Sequence, residues 1–128
     1  MSPTLRSHWI FVYSGETAGI ATRKIERCLQ RKLLDPRIRD DWPHGDERRP
    51  MIEAFVPSEG VRWEDALRDT LSVARRFTPS WKIDLYDANS DILGRSAEEG
   101  GDGRLSDGPA CLLRIFWRLR LDQEYVRF

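Results

Sequence analysis

Hydrophobic positions along the chain fall into blocks with two different periods. Residues 8–13, His-Trp-Ile-Phe-Val-Tyr, are β-branched or aromatic almost throughout. Being apolar on both faces, they read as a strand covered on both sides. Ser14-Gly15 ends the strand, and Ser14 or Thr17 is placed to cap a helix after it. From about Glu16 to Leu34 the apolar residues Ala18, Ala21, Ile25, Cys28, Leu29 and Leu33 recur at helical spacing, with charged residues on the other face. Asp35-Pro36 breaks that helix. Met51 to Val56 reads as a second strand, stopped by Pro57.

A second helix starts at Trp63. Its stripe is Trp63, Ala66, Leu67, Thr70, Leu71, Ala74 and Phe77, with Glu64 and Asp65 early and Arg75 and Arg76 late. That charge order suits the helix dipole, and Thr78-Pro79 supplies the stop. Trp81 to Tyr86 alternates as a strand, with Trp81, Ile83 and Leu85 on one side and Lys82, Asp84 and Tyr86 on the other. Asp91 to Gly94 returns as a short hairpin partner. The last strand, Cys111 to Leu121, alternates strictly: Cys111, Leu113, Ile115, Trp117, Leu119 and Leu121 against Leu112, Arg114, Phe116, Arg118 and Arg120.

The order β-α-β-α-β-(β)-β predicts an α+β fold. Its form is a two-layer α/β sandwich, two amphipathic helices on one face of a four- to five-stranded mixed or antiparallel sheet. A ferredoxin-like order, β-α-β-β-α-β, needs a strand pair between the helices, and the pattern shows none. Residues 35–50, with three prolines, and 95–109, with five of the sixteen glycines and prolines, read as mobile loops on a single domain spanning 1–128.

Composition narrows the picture. The 128 residues carry 21 basic and 21 acidic groups, which excludes a uniformly basic nucleic-acid binder. The zero sum hides a gradient: residues 1–50 total +3, 51–103 total −5 and 104–128 total +2. No segment approaches the roughly 20 apolar residues of a membrane span. The first residues are too short an apolar run for a secretory leader. Cys28 and Cys111 form no framework or metal spacing and read as buried small hydrophobes. A cytoplasmic protein with no membrane partner is the expectation.

Candidate chemistry is sparse. Arg114, Phe116, Arg118 and Arg120 share one face of the last strand, and Lys82 and Tyr86 are placed to join them. Arginine interleaved with aromatics on a sheet face suits single-stranded nucleic acid or an acidic protein, although cross-strand pairing with Asp84 and Glu53 would neutralise the row. Asp87, Asn89, Asp91 and Glu98 stand at positions 1, 3, 5 and 12 of an EF-hand-like string. Position 6, which needs glycine, is Ile92, so no metal is expected. Ser14 to Gly19 places two glycines at a helix start but lacks a phosphate-loop lysine, and reads as capping. His44 sits beside Asp40, Asp41, Asp46 and Glu47 in a polar segment without a nucleophile motif. Trp42 is a large aromatic in that segment, either tucked onto the core or exposed as an anchor.

The reading that results is a small intracellular protein-binding module, of the inhibitor or immunity type, with no enzymatic activity and no cofactor. Its partner-binding residues would be Arg114, Phe116, Arg118, Arg120, Trp42 and Tyr86. A single-stranded nucleic-acid binder using the Arg114–Arg120 face is the first alternative, and a small enzyme centred on His44 the second. A homo-oligomer formed through the terminal strand at a sheet edge is the remaining partner expectation.

Overall fold

A computed structural model describes residues 6–44, 47–58, 62–87, 91–96 and 105–120. The side chains of Pro43, His44, Leu85, Tyr86, Asp87 and Asp91 lie outside that description. The elements run β1 (Arg6–Tyr13), α1 (Ala18–Leu29), β2 (Leu34–His44), β3 (Glu47–Pro57), α2 (Trp63–Ala74), β4 (Trp81–Asp87), β5 (Asp91–Ser96) and β6 (Leu112–Arg120). Six strands form one sheet in the order β2-β3-β1-β6-β5-β4, and every pairing is antiparallel. The fold is therefore α+β, with six strands rather than four or five.

The extra strand is β2. Residues 35–44 and 47–50, expected as a loop, form most of β2 and the first part of β3, paired from Leu34↔Phe55 to His44↔Glu47. Proline, charge and a turn-forming Asp-Pro made this segment look irregular. As an edge strand, however, β2 can tolerate Pro36 and Pro43, and it absorbs the irregularity in two register shifts. Asp35 takes the left-handed region, at φ 49°. The strand pair between the helices thus exists, and β1-α1-β2-β3-α2 follows the split βαβ order. Beyond α2 the chain departs from it. It runs to the far edge as β4, turns back as β5, and only then enters beside β1 as β6.

Both helices are shorter than their apolar stripes. Thr17 caps α1, its Oγ1 accepting from Ile20 N, and Gln30 ends the helix in the left-handed region at φ 58°. Ala21, Ile25 and Leu29 are its buried face. On α2 the buried residues are Ala66, Thr70, Val73 and Ala74, and Thr70 satisfies its hydroxyl by donating to Ala66 O. Arg31 ties the layers together: it donates to both Asp69 carboxylate oxygens, at 2.6 and 2.7 Å, and to Pro57 O at 3.1 Å. This charge-assisted bidentate pair joins the end of α1 to α2 and β3.

The main core lies between the helices and one sheet face. Trp9, Phe11 and Tyr13 of β1, Ile52, Ala54 and Val56 of β3, and Ile115, Trp117 and Leu119 of β6 meet the helix residues there. Its centre is aromatic: Trp9 lies 5.6 Å from Phe11, 6.2 Å from Phe77 and 6.3 Å from Trp117. Trp9 Nε1 is satisfied by Ser7 Oγ at 2.6 Å. Trp117 lies directly across Gly94, its partner on β5, and a methyl group added at Gly94 would come within 2.1 Å of the indole. Glycine is required at this position by close packing and not by backbone geometry.

Residues 105–109, expected as part of a mobile loop, are seated on the end of α2. Leu105 is buried, Asp107 N donates to Phe77 O, and Gly108, at φ 79°, packs against Phe77. Residues 97–104 lie outside the described residues.

Strict alternation in β6 also fails at one point. The register slips between Val12 and Tyr13, so Tyr13 pairs with Leu112 and Val12 with Arg114, and Leu113 is the extra residue. This bulge turns Leu112 toward the helices and Leu113 to the opposite face, the reverse of the simple alternation.

Gly94→Ala should lower stability by about 3 kcal/mol, because the added methyl overlaps the indole of the buried Trp117. Urea denaturation monitored by far-UV circular dichroism checks this; a change below about 0.5 kcal/mol would show that the indole yields easily.

Candidate functional site

Among the described residues, no helix covers the second face of the sheet. Register places the side chains of His8, Ile10 and Val12 on this face, beside Arg118, Phe116 and Arg114 of β6 and Phe55, Glu53 and Met51 of β3. Leu93 and Arg95 of β5, then Asp84 and Lys82 of β4, continue the rows. The Arg-and-aromatic face expected from sequence is real, and Lys82 is on it. Its place in the sheet is different: β6 is interior, between β1 and β5, so it is not an edge strand available for self-pairing.

One end of the face has its own small core. Val12, Met51 and Leu113 are buried, and Ile10, Trp42 and Phe116 pack on them. Trp42 stands on the far edge strand yet meets Phe116 of β6, ring centroids 5.6 Å apart. The β2–β3 pair therefore extends past β1, which stops pairing with β3 at Met51, and its end curls back over the sheet. The register shift between Arg39 and Trp42 accompanies this bend. Trp42 is thus half-buried and tucked in, not a free anchor.

Past Phe116 the face is open. Ile10, Phe55, Leu93 and Phe116 are only partly buried. A hollow of about 130 Å³ is lined by His8, Ile10, Leu93, Phe116, Trp117 and Arg118. A second, of about 210 Å³, lies on the other side of His8 among Asp35, Arg37, Glu53, Ala54 and Phe55. Between them His8 Nε2 meets Glu53 Oε2 at 3.1 Å, and the imidazole lies 5.3 Å from the Phe55 ring. Carboxylate and ring together fix the orientation of the imidazole. The lining of the smaller hollow is otherwise mainly apolar and aromatic, with Arg118 at its border.

Charge on this face is largely engaged within the molecule. Arg95 Nη2 holds Asp84 Oδ2 at 2.7 Å, on a pair about half exposed. Arg114, Arg118 and Arg120 each have an intramolecular interaction. Arg118 lines the apolar hollow, with Arg114 and Arg120 two residues to either side of Phe116 and Arg118 on the same strand face.

The other expected residues disperse. His44 pairs with Glu47 at the outer end of the β2–β3 pair; Asp40 and Asp41 are exposed, and Glu47 holds Arg49. Asp46 lies outside the described residues. Tyr86 and Asp87 close β4 and Asp91 opens β5, with Asp87 and Asp91 opposed in register. Asn89 and Glu98 lie outside the described residues, and positions 91–96 of the EF-hand-like string are extended strand. Among the described residues no group of three His, Cys, Asp or Glu side chains is placed to hold a metal. On the helix side, burial raises the Cys28 thiol and the Tyr13 phenol above their ordinary pKa values, with Asp40 adding to the shift at Tyr13. Cys28 lines an open hollow of about 360 Å³ with Lys24, Arg27 and Gly108 to Ala110.

His8, Glu53, Phe55 and Leu93 belong to the site without having been singled out as a group. They meet only through strand register, which one-dimensional patterning does not carry. In comparison with known proteins, no family model, no curated protein and no solved structure matches the chain. No helix among the described residues is long and apolar enough to cross a membrane.

Trp42→Ala should cost about 1–2 kcal/mol, less than the roughly 3–5 kcal/mol expected for alanine at the fully buried Trp9. Equilibrium urea unfolding of the two variants measures the difference; equal losses would mean that the curled strand end is as integral as the main core.

Proposed function

We propose that the chain is a protein-binding module, of the inhibitor or immunity type, that recognises its partner through the open sheet face around Phe116. The observation that carries this reading is the hollow between His8, Ile10, Leu93, Phe116 and Arg118, on a face that no helix covers among the described residues. At about 130 Å³ it is close to the roughly 150 Å³ cavity that holds a benzene, so it fits one apolar or aromatic side chain. Such an anchor, bordered by Arg118 and His8, has the composition of an interface hot spot with a polar rim. Lys82, Arg95, Arg114 and Arg118 stand on this face beside Asp84 and Glu53, and the reading takes the partner surface around its anchor to be acidic.

A nucleic-acid reading has one observation of its own. His8 and Phe55 stand on neighbouring central strands with rings 5.3 Å apart, a position from which sheet-face aromatics can stack on bases. Phe116 is less suited, because Trp42 packs against its ring. The protein reading uses the hollow as well as the rings, and we favour it for that reason.

Phe116→Asp should abolish retention of the partner by the immobilised chain, a loss of at least about 30-fold in affinity. Arg118→Ala should slow association and flatten its salt dependence. Pull-down and surface-plasmon kinetics with the wild type and a folded Phe116→Asp variant decide it. Unchanged retention by the variant would remove this face from the reading, and tight binding of single-stranded RNA at low salt would favour the alternative.

A further inference from the structure

Two strands end the described sheet, and they differ in how they protect themselves. β2 has two prolines, two register shifts and the exposed charges Arg37, Arg39, Asp40 and Asp41, all devices that discourage edge pairing. β4 has few of these. From Trp81 to Leu85 it pairs with β5 in uninterrupted register, without proline, and its register breaks only between Leu85 and Asp87. Pro79 limits it at the other end. The centre of this regular stretch is Ile83, a large hydrophobic that remains 45% exposed. Lys82 beside it is exposed and makes no ion pair among the described residues.

We propose that β4 pairs with β4 of a second copy of this chain, antiparallel and centred on Ile83, to join two sheets into one. The sequence of the strand is self-complementary in that register. Ile83 falls opposite the second copy's Ile83, and each Lys82 falls opposite an Asp84, so one two-fold axis creates two cross-strand ion pairs and one apolar contact. Residues that share a face remain together, which keeps the helices of both copies on the same side. The neighbouring registers that preserve this arrangement are selected against: a shift of two residues sets Lys82 against Lys82 or Asp84 against Asp84. Asp84 is already oriented by Arg95 at 2.7 Å, with its side chain 47% exposed, so one oxygen can accept from a second cation without rearrangement. Trp81, partly buried against the main core, shares the Ile83 side of the strand and extends the apolar contact. The interface is small, since only five residues of each strand take part. Association is accordingly weak and concentration-dependent.

The test is sedimentation velocity of the full chain over a concentration series, with variants that reverse the two charges. The wild type should move toward twice the monomer mass as concentration rises. Lys82→Glu and Asp84→Lys should each weaken association by roughly 10-fold or more, and the double variant should restore it. Circular dichroism on the same samples confirms that each variant is folded. Independently, the Ile83→Cys chain should form a disulfide-linked dimer under mild oxidation. Directly opposed residues in an antiparallel pair stand about 4.5–5.5 Å apart at Cα, within the range a disulfide spans. A monomer at every concentration overturns the proposal. So does a dimer that ignores both charge reversals and leaves the Ile83→Cys chain unlinked.

Discussion

The central place of β1, buried along its helix-side face and at Val12 on the other, is the constraint on which the rest of the molecule depends. Trp9, Phe11 and Tyr13 carry the helix-side core, and Val12 anchors the smaller cluster on the other side. A strand with this composition is stable only at the middle of a sheet, between neighbours that are themselves well packed. β3 and β6 flank it, and each supplies a matching apolar row to the helices. Trp117 then passes the constraint outward, because its indole occupies the space above Gly94 and so fixes β5 beside β6.

The two faces of the sheet divide the labour. The helix side is closed, aromatic and pinned at its margin by the Arg31–Asp69 pair, whose side chains are nearly covered. The open side uses less apolar surface, protects one end with the Trp42–Phe116 contact, and leaves a hollow beside it. A face kept partly apolar and unclosed contributes less to stability than its residues allow. Recognition sites are where such a departure from good packing is expected.

Much of this was legible in one dimension. The six residues from His8 to Tyr13, the helical spacing of Ala21, Ile25 and Leu29, and the alternation from Arg114 to Arg120 each mark an element whose periodicity is set by its own packing. The β2 strand was hidden because an edge strand needs neither a hydrophobic face nor a full set of amide donors, and Asp35-Pro36 carries the signature of a stop. The bulge at Leu113 left no mark, since a leucine suits either face. The site itself was half visible. Arg114, Phe116 and Arg118 stood out on one strand, whereas His8, Glu53 and Leu93 joined them only through pairings with strands remote in sequence.

The proposed division assigns recognition to the open face and structure to the closed one. Hydrogen–deuterium exchange of the full chain, free and in the complex it forms with a retained partner, tests that division most directly. The account predicts added protection in β1, β5 and β6 and none in α1 or α2. Protection gained on the helices, with the three strands unchanged, would contradict it.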